Sequence, residues 1–349
     1  MRAAGVAANV VTFNAAIGAC AKRGDWERAQ ALLVAMPSAR VAPDVITFNT
    51  VIAACGKAGE WQRAVSILVA MKAADVAPTV VTFNTLISAC ARAGEWERAQ
   101  SMLSEMRVAG VAPDVITFNA LISACEKAGE WERALSLLDT LQSAGLEADA
   151  ITYNAAIAAC AREGKWEQAQ SLLNAMRLAG LAPDVYSFSS AISACDNGGQ
   201  PARAMELLDE MRTAGVRPNV VTFTAAVSAC HKGGMYEEAL SLLSRMRADH
   251  GIAPNLLTYN AALSACEKAG KWEQAMWLLN EMRTSGVAPD AITYGAAIAA
   301  CQNGGRWEAA GAIAAGRDAV GGRDEWPDSL SFNAALACED DRPRGPTSA

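Results

Sequence analysis

An amide recurs along the chain at a nearly fixed interval: Asn14, Asn49, Asn84, Asn119, Asn154, then Ser189 and Thr224, then Asn260, Gly295 and Asn333. Each stands one residue after an aromatic, inside an apolar run that reads as a helix. Asparagine is a poor helix former, because its side chain competes for nearby backbone groups. Its recurrence therefore points to polar hydrogen-bonding chemistry wanted on one face. Three residues earlier, and so on the same face of a helix, lie Val11, Ile46, Val81, Ile116, Ile151, Tyr186, Val221, Leu257 and Ile292. A flat apolar side chain beside an amide that both donates and accepts suits a heteroaromatic base. A third set precedes each helix: Asp44, Thr79, Asp114, Asp149, Asp184, Asn219, Asn255, Asp290 and Asp328. Helix N-capping alone accounts for these residue types. It does not account for their pairing with the amide set, since Asn219 and Asn255 close the two repeats whose amide is replaced by Ser189 and Thr224.

The frame that positions these residues is a repeat. Ten cysteines, Cys20, Cys55, Cys90, Cys125, Cys160, Cys195, Cys230, Cys266, Cys301 and Cys338, mark it, the first six intervals being 35 residues each. Neighbouring helix layers lie about 8–10 Å apart, beyond the ~7 Å limit for a disulfide between Cα atoms. No Cys or His partner stands at zinc-ligand spacing. The cysteines read as small buried hydrophobes. Counted from Val10, the repeats are 10–44, 45–79, 80–114, 115–149, 150–184, 185–219, 220–255, 256–290 and 291–328, with a partial tenth at 329–338 and a disordered tail at 339–349. Residues 1–9 match the end of a repeat.

In repeat 3, Phe83, Leu86, Ile87 and Cys90 form one helical stripe, which Gly94 ends. Trp96, Ala99, Met102, Leu103 and Met106 form the stripe of a second helix. Glu95 and Glu97 belong to a solvated, dipole-favourable helix start rather than to an acid–base pair. Two helices in 35 residues cannot bury a core alone, so neighbours must stack. The expected fold is all-α, an α-solenoid of helix-turn-helix repeats. Gly311, Gly316, Gly321 and Gly322 predict a short or frayed second helix in the ninth repeat.

With 30 basic and 37 acidic residues the formal charge is −7, which excludes a broadly basic nucleic-acid coat. Hydrophobic residues make up 52 %, aromatics only 6 %, a composition suited to close helix packing and not to disorder. No run of about 18 apolar residues offers a membrane span, and no targeting segment is visible in MRAAGVAANV. The two histidines, His231 and His250, have no recurring partner. Neither catalysis nor a cofactor is expected.

The lines VVTFNTLISACARAGEWERAQSMLSEMRVAGVAPD and VITFNALISACEKAGEWERALSLLDTLQSAGLEAD resemble pentatricopeptide repeats of the pure 35-residue type, from residue 1 to about Cys338. The resemblance implies a right-handed superhelical α-solenoid that binds single-stranded RNA, one base per repeat, in a chloroplast or mitochondrion, with RNA-processing proteins as further partners. It implies that the fifth and last residues read the base edge and the second residues sandwich it. Asn with Asp, as in Asn14/Asp44, Asn84/Asp114, Asn119/Asp149, Asn154/Asp184 and Asn260/Asp290, then implies uracil. Ser189/Asn219 and Thr224/Asn255 imply adenine, Asn49/Thr79 a pyrimidine, and Gly295/Asp328 nothing readable. The implied core is 5′-UYUUUAAU-3′. Lys22, Lys57, Arg92, Lys127, Arg162, Lys232 and Lys268, the thirteenth residues, either pair with phosphates or complement a helix C-terminus. A helical-repeat scaffold for a protein partner is the alternative function.

Overall fold

The computed structural model describes residues 8–248 and 251–320, with side chains to residue 314. The chain divides into two compact blocks, 1–217 and 218–349. In the first block the described residues form α1 Val10–Arg23, α2 Trp26–Ser38, α3 Val45–Lys57, α4 Trp61–Ala73, α5 Val80–Arg92, α6 Trp96–Val108, α7 Val115–Ala128, α8 Trp131–Ser143, α9 Ala150–Arg162, α10 Trp166–Leu178, α11 Val185–Asn197 and α12 Pro201–Thr213. In the second they form α13 Val220–Lys232, α14 Tyr236–Ala248, α15 Leu256–Lys268, α16 Trp272–Thr284, α17 Ala291–Asn303 and α18 Trp307–Val320. No strand occurs among them.

Each odd-numbered helix pairs with the helix after it as a hairpin, and within each block the odd-numbered helices pack side by side in a row. Within each block an even-numbered helix packs on its own hairpin partner and on the odd-numbered helix that follows, and not closely on another even-numbered helix. Local chemistry explains the hairpin. Asp114 caps α7, its carboxylate accepting from the Thr117 N–H at 2.8 Å while the Thr117 hydroxyl accepts from the Asp114 N–H at 3.1 Å. At the other end Gly129 takes φ 77°, which lets its own N–H reach Glu126 and that of Glu130 reach Cys125.

The core follows the apolar stripes. Phe83, Leu86, Ile87 and Cys90 of α5 and Ala99, Met102 and Met106 of α6 are completely buried. The described cysteines are unbridged, and all but the half-buried Cys20 are buried. Burial pushes the thiols of Cys90, Cys125, Cys160, Cys195, Cys230 and Cys266 up to about 11, which leaves them protonated and inert at neutral pH. Between repeats the even-numbered helices are stitched by cations over rings: Arg63 over Trp26 at 4.4 Å, Arg133 over Trp96 at 4.0 Å, Arg306 over Trp272 at 4.8 Å.

One expectation fails. The second helix of the ninth repeat is neither short nor frayed, since α18 runs from Trp307 to Val320. Only Gly311 and Gly316 fall inside it, and its six alanines offset their cost. The partial repeat at 329–338, the tail at 339–349, the start of the chain before residue 8, and the insertion at Asp249–His250 lie outside the described residues.

Candidate functional site

The residues singled out by their spacing come together on the odd-numbered helices. All nine second residues, from Val11 to Ile292, are exposed, between 56 and 70 %. An isolated exposed valine needs no explanation. Nine in register, one per repeat, form a stripe that the fold leaves open while the other large apolar side chains of these helices are buried or half-buried.

One turn further on, the fifth residue is tied to the last residue of its own repeat. The Nδ2 of Asn84 donates to the Asp114 carboxylate at 2.9 Å, and the corresponding bonds join Asn14 to Asp44 at 3.1 Å, Asn119 to Asp149 at 3.1 Å, Asn154 to Asp184 at 3.3 Å, and Asn260 to Asp290 at 3.2 Å. The pairing seen in the sequence thus has a contact behind it. Beside the capping N–H of the next helix, the fifth-position amide gives each of these aspartates a second donor. In repeat 7 the fifth residue is too short for that role: the Thr224 hydroxyl bonds its own helix at the Val220 carbonyl and lies 2.7 Å from the Thr258 hydroxyl. Asn255 there caps α15 through Thr258, with no carboxylate to satisfy.

These contacts also correct part of the sequence argument, which took the recurrent asparagine to have no role in the fold. The Oδ1 of Asn84 accepts from the hydroxyl of Thr117, the third residue of the next repeat, at 2.5 Å, so the amide bridges neighbouring repeats. Thr47, Thr152, Ser187 and Thr293 make the same bond to Asn14, Asn119, Asn154 and Asn260 at 2.5–2.6 Å. The sequence reading missed this third residue. Its signal was available, since every full repeat carries Thr or Ser there and none carries the isosteric valine.

The aspartates feel both burial and hydrogen bonding. Partial burial alone would raise the Asp114 carboxyl, but the bonds from Asn84 and Thr117 outweigh it and hold the group below its ordinary value. Asp44, Asp149 and Asp184 are lowered by the same balance, and Asp290 chiefly by the Thr293 N–H. A depressed folded-state value means stability that is present above the unfolded value and lost as pH falls through the folded one. The melting temperature followed by circular dichroism is therefore expected to be flat from pH 7 to pH 5 and to fall below about pH 4. A Tm unchanged at pH 3 would contradict the capping network.

The thirteenth residues, Lys22, Lys57, Arg92, Lys127, Arg162, Lys232 and Lys268, are all exposed. Some are also engaged at the C-terminus of the preceding odd-numbered helix: Arg162 donates to the Lys127 carbonyl at 3.0 Å and Lys268 to that of His231 at 3.3 Å. Asn197 and Asn303, which replace the cation in repeats 6 and 9, make the equivalent bonds to Ala161 and Glu267 at 2.9 Å. The helix-terminal role is thus common to cation and amide. Where the residue is Lys or Arg, the position also carries an exposed charge. Among the described residues no cluster of three or more His, Cys, Asp or Glu could hold a metal ion, and no helix is long and apolar enough to cross a membrane.

Comparison with known proteins bears on this arrangement directly. The profile of the PPR repeat family matches residues 8–57, 43–92, 78–127 and 113–162, and that of the pentacotripeptide-repeat region of PRORP matches residues 150–312. No curated protein sequence matches the chain. Among solved structures, the pentatricopeptide repeat protein PPR10 in complex with an 18-nt psaJ RNA element superposes with a TM-score of 0.62 at 23 % identity, over 97 % of this chain and 54 % of that one. A cysteine-to-serine variant of PPR10 in complex with the same RNA element gives the same figures. A further structure of PPR10, from maize, is 21 % identical and scores 0.40 over 96 % of this chain and 62 % of that one. At such identities the likeness is one of fold, and the chain spans about half the length of the PPR10 chain in the complexes. Because the family profiles run in register with the repeats from residue 8 to residue 312, the chain belongs to the pentatricopeptide repeat family.

Proposed function

We propose that the chain binds single-stranded RNA with one base per repeat, as a binder and not a catalyst, and that its core target is 5′-UYUUUAAU-3′ in a chloroplast or mitochondrial transcript. The observation that carries this reading is the juxtaposition, repeat after repeat, of an exposed apolar second residue with a hydrogen-bonded fifth–last pair one turn away. Such a surface offers each base a face to stack on and an edge to pair with. Tyr186, the one aromatic in the stripe, offers the sixth base the largest face. PPR10, which shares this fold, was crystallised on an RNA element, which supports RNA as the ligand class.

Fluorescence anisotropy at about 150 mM salt tests it, with an RNA containing UUUUUAAU, a scramble of that RNA, and its DNA copy. The core RNA is expected to bind at least about tenfold tighter than the scramble. With five to seven phosphate contacts from the thirteenth residues, log K should fall against log salt with a slope of roughly −4 to −5. Equal binding of core and scramble would overturn the code and direct attention to a protein ligand on the same surface.

A further inference from the structure

We propose that the third residue of each repeat sets the base selectivity of the repeat before it, by holding that repeat's asparagine amide in one orientation. The inference rests on the RNA-binding reading above and adds a residue to it. The two ends of an Asn amide have nearly the same shape and opposite hydrogen-bonding character. Uracil and cytosine differ in a matching way: uracil offers the acceptor O4 beside the donor N3–H, cytosine the donor N4–H beside the acceptor N3. An amide able to turn over complements either pyrimidine. A held amide complements one.

In repeats 1, 3, 4, 5 and 8, which pair asparagine with aspartate, the amide is held at both ends. The Thr117 hydroxyl already accepts from the Asp114 N–H at 3.1 Å, and it lies closer to the Asn84 Oδ1, at 2.5 Å, than to the Asp114 carboxylate, at 2.8 Å. The hydroxyl can donate to either oxygen, and its shorter contact is the one to Asn84. The opposite end, Nδ2, faces the Asp114 carboxylate at 2.9 Å. Turning the amide over would set Oδ1 against that carboxylate, an oxygen against an anion, and remove the acceptor from the hydroxyl. The same pair of contacts recurs around Asn14, Asn119, Asn154 and Asn260.

Repeat 2 is the internal contrast. Its last residue is Thr79, which brings no carboxylate, and the third-residue hydroxyl that follows, Thr82, lies 3.3 Å from the Thr79 hydroxyl. The Oδ1 of Asn49 is buried and has no hydrogen-bond partner among the described residues. This amide is held at neither end by the contacts that fix the others. Repeat 2 therefore accepts uracil and cytosine alike, whereas repeat 3, with Asn84 held by Thr117, selects uracil. The third residue is a positioning residue, since its hydroxyl is completely buried and acts on the base only through the asparagine.

The test is a competition series with the full chain at about 150 mM salt, comparing UUUUUAAU with UUCUUAAU, altered at the base of repeat 3, and with UCUUUAAU, altered at the base of repeat 2. Wild type is expected to prefer uracil about tenfold at the third base and by no more than about twofold at the second. Thr117→Val should reduce the third-base preference to about twofold, and Thr117→Ser, which keeps the hydroxyl as Ser187 does, should retain it. A merely structural role would lower affinity for both RNAs and leave their ratio unchanged. A Thr117→Val chain that keeps the tenfold ratio overturns the proposal. Should that variant fail to fold by circular dichroism, the wild-type comparison decides, because equal selectivity at the second and third bases also overturns it. Wild type that binds no RNA better than scramble defeats the function reading itself, a result visible before any variant is made.

Discussion

The double variant Thr224→Asn, Asn255→Asp is expected to bind UUUUUAUU in preference to UUUUUAAU, the reverse of wild type. Repeat 7 presents a threonine whose hydroxyl is shared between the Val220 carbonyl and the Thr258 hydroxyl. An amide at that position has the length to reach the last residue of the repeat, as Asn260 reaches Asp290 in the next one. The Thr258 hydroxyl stands where the equivalent Thr293 hydroxyl meets Asn260, so both anchors are in place for it. Aspartate in place of Asn255 keeps the cap on α15, because Asp290 caps α17 through the same kind of bond to Thr293. A mismatched base costs about 1–3 kcal/mol, and the swap turns one match into a mismatch and the reverse. The ratio of the two affinities should move by about thirtyfold or more. Anisotropy titrations of both proteins with both RNAs read it directly; a variant that keeps the wild-type order of preference would show that the fifth and last residues do not choose the base.

The second large effect concerns stability. Gly164→Ala is expected to destabilise the chain by about 3 kcal/mol, against about 1 kcal/mol for Gly94→Ala. Both glycines have positive φ, 64° and 77°, so each substitution places a side chain where L residues are disfavoured. A Cβ at Gly94 meets nothing within 4 Å, whereas one at Gly164 would lie 2.8 Å from the Asn197 carbonyl carbon and 2.9 Å from the Gly198 nitrogen. Those are backbone atoms at the end of α11 in the next repeat, and they cannot step aside as a side chain would. Overpacking of this kind costs about 1–3 kcal/mol beyond the conformational term. Urea denaturation of the two variants checks the difference. Equal midpoints would mean that adjacent repeats can part at this point without loss.

The sequence alone discloses the repeat frame and the second and fifth positions, because both break packing logic: a branched apolar residue that the fold has no need to expose, and an amide within a helix. Thr117 was passed over for the opposite reason. A threonine at the start of a helix breaks no rule, and its bond to Asn84 spans 33 residues. The same holds for Gly198, which reads as an ordinary helix-ending glycine. Its lack of a side chain is required by the Gly164 carbonyl, only 2.6 Å from where a Cβ would be. The thirteenth residues were legible as cations, but their bonds to the preceding helix, as from Arg162 to Lys127, depend on the offset between stacked hairpins, which no single repeat contains.

On the RNA-binding reading proposed above, the group that would face a base is assembled from two consecutive repeats: the fifth and last residues come from one, the hydroxyl from its successor. A gene that grows by duplicating or shuffling 35-residue cassettes would in principle scramble such a composite at every new junction. It need not do so here, because every full repeat carries the same Thr or Ser hydroxyl at its third residue, and five of the described junctions use it. Any repeat can follow any other without altering what the earlier one says. The letters are free to vary because the joint between them is standardised, and a lineage that lost the hydroxyl from one cassette would change the meaning of its upstream neighbour rather than its own.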